Sequence, residues 1–552
     1  MLKYTSTKPT KIRSGIARSG VAFFLLATAL WLTGCNSLPV DVQRPISSSL
    51  NLSDSLATPL GAEVARRASV GKAKADSGFA LVDSADLAFT SRMALIENAQ
   101  KTLDLQYYAI HADDTTEKMF AALRDAAARG VRVRMLLDDF NTAGKNTQVL
   151  KLGFVKNIEM RLFNPLPSNR ASAMWRILSS LSDAARLQRR MHNKIFIADN
   201  AIAITGGRNL GDTYFGQSDG VNFIDIDMLT AGRITRDLSR SFDKYWNNPL
   251  AYPVQSLITE REIDAINSKL APVSVPVLAP ANGGLTAVAT ASSPEQSPLL
   301  LPIATNQALL TWTWAGSAML VDEPSKIAGD AESVEEAQDT AVDGLLGLMS
   351  QAKTELLIVS PYFVPGALMM QQFADIRKRG VRVRVLTNSL ASNDAIAAHA
   401  GYARYREALL GLGIELYEMH AEQRGTLTSF GRGSGGAGSS GGKSRASLHA
   451  KAVVIDNRLL VVGSMNLDLR SKLQNSEVAV VVRSSKLAIE AAALIVPSLS
   501  KGAYKVESKG GSLIWRAPQG SGLQDAVSEP DASLGLKILV RVIGPFAPDE
   551  ML

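Results

Sequence analysis

Two stretches of the sequence decide the fold: MHNKIFIADNAIAITGGRN, residues 191–209, and SLHAKAVVIDNRLLVVGSMN, residues 447–466. Each places a histidine two residues before a lysine and seven before an aspartate, followed by a second apolar run, a glycine and an asparagine. The spacing from histidine to asparagine is the same in both stretches. In a chain with only five histidines, such repetition is a poor match to chance and indicates a duplicated functional unit.

The sequence around these motifs is duplicated as well. The phrase RGVRVR occurs at 129–134 and again at 379–384, an offset of 250, and the histidines of the two motifs are offset by 257. In the first copy the phrase closes a helical pattern, 114–130, and opens a buried strand, 131–139. Nearly equal offsets mean that a whole α/β lobe is duplicated, which predicts two lobes packed against each other.

The N-terminus carries most of the net charge. The chain has a formal charge of +7, of which residues 1–34 supply five basic residues and no acid, leaving +2 for the rest. Nucleic acid is therefore not an expected partner. A basic stretch followed by the apolar run 21–32 is typical of a secretory signal and short for a transmembrane span.

The signal resembles that of a bacterial lipoprotein, because it ends at Cys35, the only cysteine. An uncleaved anchor with an incidental cysteine is the alternative. The resemblance implies a protein tethered to a membrane by acyl chains on Cys35 and facing the periplasm. Asn36 after the cysteine favours the outer over the inner membrane.

Composition divides the remaining chain. Residues 271–300 are rich in Pro, Ala and Ser and predict a connection between the lobes, and the glycine-rich stretch 431–444 predicts a surface loop. For that loop an insertion is favoured over a mobile flap above the site. The predicted division is a signal peptide (1–34), a tether (35–80), a first lobe (81–250), a connection (251–305), a second lobe (306–500) and a C-terminal segment (501–552).

The repeated residue types suit a phosphodiester. A neutral histidine can attack phosphorus, and a protonated one can donate to the departing oxygen. Alternate residues of a strand share a face, so each histidine is predicted to point the same way as its lysine. The lysines and asparagines offer donors to the phosphoryl oxygens. The catalytic candidates are His192, Lys194, Asp199, His449, Lys451 and Asp456, with the two aspartates at the turns that end the motif strands. The candidates for binding phosphate or supporting the site include Asn209, Ser464 and Asn466.

Each histidine also needs a partner that fixes its tautomer. Asp225 and Glu477, which follow the two motifs, are the candidates, although for Asp225 a surface or turn acid is favoured because Asp227 falls on the same strand face. The basic run Arg186, Arg189 and Arg190 predicts either attraction of an anionic substrate or a solvated face. No cluster of His, Asp and Glu has metal-ligand spacing, so the sequence predicts neither a metal nor another cofactor.

The two motifs, HxKxxxxD at 192–199 and at 449–456, resemble those of the phospholipase D superfamily. Longer phrases such as LDLQYY, RGVRVRMLLDD, SPYFVP and LTNSLASNDAIAAHAGYARYR resemble one subfamily in particular, the bacterial cardiolipin synthases of the C type. This resemblance extends over about residues 80 to 550. It implies two phospholipase D-like α/β/α sandwich lobes with the active site at their interface.

The same resemblance implies an enzyme with phospholipid substrates. It would transfer a phosphatidyl group from phosphatidylethanolamine to phosphatidylglycerol through a phosphohistidine, with His192 as nucleophile and His449 as general acid and then base. The near-symmetric copies leave that order open. Ser464 keeps the superfamily's usual serine, whereas Gly207 replaces it in the first copy. His399 lies in a matched phrase, where a histidine packed within a helix is favoured over a substrate contact.

Several alternatives share these residues. Water in place of the acceptor lipid would make the protein a phospholipase D that releases phosphatidic acid. The low charge outside the signal argues against a nuclease, and intact residues in both motifs argue against a lipid-binding protein without activity. The apolar helical patterns at 395–413 and 534–546 predict core packing by default, with lipid contact as the alternative. The sequence does not indicate whether an accessory protein takes part.

Overall fold

The computed structural model describes residues 38–70, 75–167, 170–172, 174, 176, 183–270, 312–328, 339–421, 445–544 and 549. The predicted signal peptide, Cys35, the glycine-rich loop 431–444 and the Pro/Ala/Ser-rich connection 271–300 lie outside these residues. Predictions about lipidation, membrane address and that loop therefore stay predictions.

Strands rich in Val, Ile and Leu form two large sheets. The first nine strands are β1 (Ser77–Val82), β2 (Thr102–Tyr107), β3 (Arg132–Asp138), β4 (Ile158–Phe163), β5 (Ile195–Ala198), β6 (Ile202–Gly206), β7 (Val221–Ile224), β8 (Asp227–Gly232) and β9 (Ala251–Pro253). The remaining strands are β10 (Thr313–Trp314), β11 (Gly316–Val321), β12 (Glu355–Val359), β13 (Arg382–Asn388), β14 (Glu415–Met419), β15 (Arg445–Leu448), β16 (Ala452–Ile455), β17 (Leu459–Gly463), β18 (Val478–Arg483), β19 (Ala503–Lys509) and β20 (Ser512–Arg516).

The two sheets have the same internal order. The first runs β10-β1-β8-β6-β5-β2-β3-β4-β9 and the second β11-β18-β17-β16-β12-β13-β14-β19-β20. In each, three parallel strands (β2-β3-β4 and β12-β13-β14) adjoin an antiparallel group that contains the motif strand, β5 or β16. A third, two-stranded sheet pairs β7 of the first lobe with β15 of the second.

Helices connect and cover the strands. They are α1 (Leu52–Leu56), α2 (Pro59–Val70), α3 (Ala85–Asn98), α4 (Asp114–Ala128), α5 (Ala184–Gln188), α6 (Arg233–Trp246), α7 (Glu260–Leu270), α8 (Ser325–Ala328), α9 (Ala341–Ser350), α10 (Gly366–Lys378), α11 (Ile396–Ala403), α12 (Arg406–Gly411), α13 (Leu469–Leu473), α14 (Ser485–Lys501) and α15 (Leu534–Ile543). Short 3-10 helices lie at Gly144–Phe154, Asp212–Tyr214 and Val254–Ser256.

Helix ends follow capping chemistry. The side chain of Asp113 accepts a hydrogen bond from Thr116 N, and the side chain of Thr116 accepts one from Asp113 N. This reciprocal pair is a capping box at the start of α4. Gly130 then ends this region with a φ of 96°, a conformation that favours glycine. The helix predicted at 114–130 and the strand predicted at 131–139 are thus present, with ends that differ by one or two residues.

The core confirms the predicted duplication. One hydrophobic cluster packs the first sheet against α3 and α4, and another packs the second sheet against α9 and α10. A central cluster contains residues of both sheets together with α6 and α14, among them Phe79, Trp246, Leu357 and Val480. Each sheet is therefore buried on both faces, and the predicted fold of two duplicated α/β lobes is confirmed.

The lobe boundaries differ from the predicted ones. β10 joins the first sheet although it follows the predicted start of the second lobe at 306, and β19 and β20 extend the second sheet beyond its predicted end at 500. The predicted tether, 35–80, is folded in its described part. Leu60 is 2% exposed, and Ser49 donates to Asp243 from its backbone at 2.9 Å. Among the described helices, none has the length and apolar character needed to cross a bilayer.

Candidate active site

Two strand pairings join the lobes and bring the motifs together. β7 runs parallel to β15, with Ile224 opposite Leu448. A second parallel contact, one residue long, sets Met191 opposite Ser476. In both cases the next residue along one strand is a motif histidine and the next along the other is an acid. The pairing register therefore places His449 beside Asp225, and His192 beside Glu477.

His192 receives its acid from the second lobe. Its Nδ1 lies 3.0 Å from each carboxylate oxygen of Glu477, and its backbone N donates to Ser476 O at 2.9 Å. The imidazole meets the edge of the Tyr108 ring, with 5.1 Å between ring centroids. These contacts fix the ring and commit Nδ1, which leaves Nε2 as the nitrogen available for chemistry.

His449 has the mirror arrangement with an acid from the first lobe. Its Nδ1 lies 2.8 Å from Asp225 Oδ2, and its backbone N donates to Ile224 O at 2.8 Å. The rings of Tyr214 and Phe223 flank it, with centroids 5.3 and 4.9 Å away. Both histidines are buried, at 8% exposure for His192 and 5% for His449, so the site is shielded from bulk water.

The interpretation of Asp225 as a surface or turn acid is wrong. Its side chain is fully buried against His449. β7 ends before Asp225 and β8 begins only at Asp227, so the two acids do not alternate along one strand. Asp227 instead pairs with Arg92 at 2.9 Å and with Arg208 at 3.3 Å.

The two acids are supported differently. Glu477 accepts hydrogen bonds from the hydroxyls of Ser464 and Ser471, the latter at 3.0 Å. Asp225 accepts from Ile226 N at 2.8 Å, and a Cβ on Gly207 would lie only 2.4 Å from its Oδ1. Glycine at 207 thus makes room for the carboxylate, where the equivalent Ser464 supplies a donor. Ser464 supports Glu477 and is not placed as a direct phosphate ligand.

The lysines of both motifs are buried beside their histidines. Lys194 Nζ donates to His192 O at 2.7 Å, and Lys451 Nζ donates to His449 O at 2.5 Å. Both lysines precede their motif strands, β5 and β16, so the predicted shared strand face is replaced by a tight side-chain-to-backbone contact. Burial lowers the pKa of Lys194 to about 7, against the opposing charge of Glu477.

The acids of the two half-sites differ in the direction in which their pKa values are shifted. Burial and the charges of Lys194 and Lys451 hold the pKa of His192 well below its ordinary value, while burial raises the pKa of Glu477 to about 7. Burial opposes ionisation of Asp225 as well, but the hydrogen bond from His449 and the charges of His449, Arg208 and Lys451 together outweigh it and lower the pKa of that acid. Burial and the charge of Lys451 lower the pKa of His449 as well, against the hydrogen bond and charge of Asp225. His192 is therefore held neutral, whereas burial and the ionised carboxylate of Asp225 act on His449 in opposite directions.

The motif aspartates lie at the far ends of the motif strands. Asp199 accepts hydrogen bonds from the backbone N–H groups of residues 100, 101 and 102, at 2.7 to 3.2 Å. Asp456 does the same for residues 353, 354 and 355, at 2.7 to 3.2 Å. Both aspartates have positive φ angles, 51° and 52°. The structure gives them a positioning role in place of the predicted catalytic one, because their oxygens are committed to the start of the neighbouring strand.

The motif asparagines are not equivalent. Asn209 is committed within the protein: its Nδ2 donates to Tyr214 Oη at 3.0 Å and its Oδ1 accepts from Ala109 N at 3.2 Å. Asn466 is buried at 3% exposure, and its Oδ1 has no hydrogen-bond partner among the described residues. Of the two, Asn466 has side-chain capacity left for a ligand.

Arg190, the last residue of the basic run before His192, matches neither predicted alternative. Arg190 is fully buried and donates to Asn164 O at 3.0 Å and to Arg186 O at 2.6 Å. Its guanidinium also lies 3.3 Å from Asp138, whose other oxygen accepts from Met191 N at 2.8 Å. Arg190 therefore holds the segment that carries His192, and it is neither a solvated side chain nor one directed at a substrate.

His399 lies in α11, where it is fully buried. Its Nε2 is 2.9 Å from an Nη of Arg406 and 3.4 Å from Glu529. These contacts fit the favoured interpretation, a histidine packed within the second lobe. Among the described residues, no group of three or more His, Cys, Asp and Glu is arranged to hold a metal ion, and the expectation of no metal stays a prediction.

Sequence reasoning missed the aromatic walls of the site. Tyr108 packs on His192, and Tyr214 and Phe223 pack on His449. Lys194 Nζ also lies 5.6 Å from the centre of the Tyr108 ring. Tyr108 and Tyr214 occur in phrases that resemble the family, LDLQYY and GGRNLGDTYFG, which was the available signal.

Comparison with known proteins identifies the family. The model of the family described as "Cardiolipin synthase, PLD-like domain" matches residues 93–246 and 345–495, together more than half of the chain. Cardiolipin synthase C of Escherichia coli (strain K12) is 37% identical over 410 residues, covering 74% of this chain and 82% of the relative. An uncharacterized protein of Helicobacter pylori (strain ATCC 700392 / 26695) is 30% identical over 520 residues, 94% of this chain and 97% of the relative.

The fold agrees with a solved structure. Phosphatidylserine synthase of Haemophilus influenzae Rd KW20 superposes with a TM-score of 0.55 at 13% identity, covering 88% of this chain and 99% of that one. Likeness at this identity shows the fold alone. The family match and the relative of 37% identity carry the assignment: the chain is an enzyme of the phospholipase D superfamily, in the family of the cardiolipin synthase PLD-like domain.

Proposed function

We propose that the protein makes cardiolipin by moving a phosphatidyl group from phosphatidylethanolamine to phosphatidylglycerol through a covalent phosphohistidine. The observation that carries the proposal is the pair of buried imidazoles, each held at Nδ1 by a carboxylate of the opposite lobe. The charge of His449 also lowers the pKa of His192, which supports two imidazoles that serve one substrate.

In the first step Nε2 of neutral His192 attacks the donor phosphorus and forms a P–N bond. The bond from phosphorus to the ethanolamine oxygen breaks, and protonated His449 gives that oxygen its proton. The carboxylate of Asp225 favours the protonated state of His449 before this transfer. The side-chain N–H groups of Asn466 and the ammonium groups of Lys194 and Lys451 would donate hydrogen bonds to the phosphoryl oxygens and stabilise the negative charge that develops there.

In the second step a glycerol hydroxyl of phosphatidylglycerol gives its proton to neutral His449 and attacks the phosphohistidine. The P–N bond breaks, neutral His192 returns, and cardiolipin is the product. The same site with water as acceptor would release phosphatidic acid. The burial of both histidines supports transfer over hydrolysis, because a site closed to bulk water favours a lipid alcohol as the acceptor.

The test uses the purified full chain and vesicles of phosphatidylglycerol with phosphatidylethanolamine that carries an isotope label in the ethanolamine. Cardiolipin and free labelled ethanolamine in equal amounts, measured by mass spectrometry, are the expected products. Release of glycerol with cardiolipin would make phosphatidylglycerol the donor, and phosphatidic acid alone would make the protein a hydrolase. Either result, or the lack of any lipid product, overturns the proposal.

A matched set of histidine variants accompanies this assay. His192→Ala and His449→Ala are expected to abolish product formation. His420→Ala is the control, because His420 pairs with Asp531 at 3.0 Å, outside the two half-sites. Loss of activity in all three variants would point to general damage to the fold and not to a two-histidine site.

A further inference from the structure

The helix α15 is apolar around most of its surface but lies on the outside of the protein. None of its ten residues is buried, and Leu534, Ile538 and Val542 are 74%, 53% and 57% exposed. Their spacing of four places them on one stripe of the helix. The default prediction of core packing for this tail is wrong, because the second lobe covers only its other side.

This helix is a fixed element of the fold. The side chain of Ser533 caps its first turn by accepting from Leu536 N at 3.3 Å. At its other end Gly544 O accepts from the guanidinium of Arg404 at 2.9 Å, and the helix packs on α11. The outward stripe is therefore held in place with its apolar side chains in water, which is costly without a partner.

Charge indicates what kind of partner covers the stripe. The charged residues of α15 are Lys537 and Arg541, and the helix has no acid. Three described acids that flank it in sequence pair with other residues: Glu529 with Arg406, Asp531 with His420 at 3.0 Å, and Asp549 with Arg404. An apolar stripe beside two cations matches the interface of a bilayer that contains anionic phospholipid.

The position of the helix connects it with the site. α11, on which α15 packs, begins just after Asp394. Asp394 is exposed and accepts from Tyr362 Oη at 2.8 Å, and its charge acts on the buried Lys451. Asp394 thus lies at the solvent edge of the second half-site. α15 packs on the helix that begins at this edge.

We propose that α15 is a docking element that lies in the surface of an anionic phospholipid bilayer and holds the edge of the site against it. This inference rests on the proposed function, since it assumes lipid substrates drawn from a bilayer. Ten helical residues extend about 15 Å, half of the hydrocarbon thickness, which suits a helix that lies along the interface. A second copy of the chain fits less well, because a stable dimer interface uses about 20 residues from each side.

The first test reports the surroundings of the helix without any need for activity. In the full chain with Cys35→Ser, Ile538→Cys is labelled with an environment-sensitive nitrobenzoxadiazole dye. On vesicles of phosphatidylcholine and phosphatidylglycerol, we expect a blue shift and quenching by a lipid-borne quencher. Ile489→Cys is the matched control, since Ile489 is also apolar and 55% exposed but lies on α14. A dye at 538 that stays in water, or equal quenching at both positions, overturns the proposal.

The second test separates docking from chemistry. We expect Ile538→Glu with Val542→Glu to lower cardiolipin formation on vesicles by at least about tenfold, and to leave turnover of short-chain monomeric phospholipids unchanged. Ile489→Glu is the control that retains full vesicle activity. Equal loss on both substrates, or no loss on vesicles, contradicts docking by α15. A wild-type protein that fails on both substrates while the dye at 538 inserts would contradict the proposed function and leave docking supported.

Discussion

The two half-sites share one geometry and differ in chemistry. Each histidine is bonded through Nδ1 to an acid of the other lobe, but His192 faces Glu477, whose pKa is raised to about 7, and His449 faces Asp225, whose pKa is lowered. Two hydroxyls donate to Glu477, and Gly207 leaves Asp225 without the equivalent one. Duplication therefore preserved the positions of the groups, while small substitutions beside them accompany acids of different pKa. Burial lowers the pKa of both histidines, and the carboxylate of Asp225 opposes that effect on His449.

The largest effects should come from the histidines. We expect His192→Ala and His449→Ala each to lower the rate of transfer from phosphatidylethanolamine by at least about 10³-fold. A phosphatidyl donor with a p-nitrophenol leaving group needs no general acid. With this donor, labelled in its phosphatidyl group, His449→Ala should carry out the first step and accumulate labelled phosphoenzyme. His192→Ala should form no labelled phosphoenzyme. The opposite pattern, with label on the His192→Ala protein, would reverse the assigned roles.

Substitution of the acids should be next. Asp225→Asn removes the charge that orients and favours protonated His449, and we expect a loss in kcat on the order of 10³-fold. Glu477→Gln should cost less, about 10²-fold or below, because Glu477 is already largely uncharged below pH 7. Rate measurements from pH 5.5 to 8 check this: the deficit of Glu477→Gln should grow as the pH rises through 7. A constant deficit for Glu477→Gln would contradict the raised pKa.

The same acid should influence stability. The folded pKa of Glu477 is raised from 4.5 to about 7 by burial, so its protonated form stabilises the fold below pH 4.5 and that stabilisation is lost as the pH rises through 7. Relative to wild type, Glu477→Gln should gain up to about 3 kcal/mol in free energy of unfolding between pH 4.5 and 8. Denaturant unfolding at several pH values measures the difference, and Asp225→Asn, whose acid has a lowered pKa, should show no such gain.

Exchanging the small residues beside the acids should have an intermediate effect on activity. Gly207→Ser puts a Cβ 2.4 Å from Asp225 Oδ1, so the carboxylate must move, and we expect a loss in kcat of about tenfold to 10²-fold. Ser464→Gly removes one donor to Glu477 and should cost about tenfold or less. Steady-state kinetics of both variants would test the order; a larger loss in Ser464→Gly would mean that Glu477 depends on its hydroxyls more than Asp225 depends on space.

The smallest effect on kcat is expected at the motif aspartates. Asp199→Ala and Asp456→Ala each release three backbone N–H groups, and should lower the free energy of unfolding by about 2 to 3 kcal/mol. The fully buried Asp199 should be the more sensitive of the two. Below the unfolding transition, kcat should remain within a few-fold of wild type, and a loss near that of the histidine variants would restore a catalytic role.

The fold was predictable because the sequence repeats both a short motif and the longer segment that surrounds it. RGVRVR and the histidine motifs have nearly the same offset, and the strands of the motifs, β5, β6, β16 and β17, are almost entirely apolar. The partners of the histidines were only half predictable. Asp225 and Glu477 could be named as acids downstream of the motifs, but their exchange between lobes depends on how β7 meets β15 in three dimensions, which no local pattern encodes.

Other parts of the site depend on packing alone. Ser464 resembled a phosphate ligand in sequence, but Glu477 lies close enough to take its hydroxyl. In sequence, Arg190 is one of three arginines that were predicted to attract substrate or to face solvent. In the structure its guanidinium donates hydrogen bonds to the carbonyl groups of residues 164 and 186. The tail helix α15 has the composition of a core element, but none of its residues is buried. Its position on the outside of α11 follows from tertiary packing, which the sequence of the helix does not encode.

The exchange of acids between lobes also has a consequence in time. His192 leaves the ribosome 285 residues ahead of Glu477, the acid that orients it. At synthesis rates of about 5 to 20 residues per second, that interval is roughly 15 to 60 seconds. Throughout it the nascent chain carries a nucleophile that lacks its orienting carboxylate. A chain interrupted between the lobes would lack both Glu477 and His449, and under the proposed function it would be unable to complete the transfer of a phosphatidyl group.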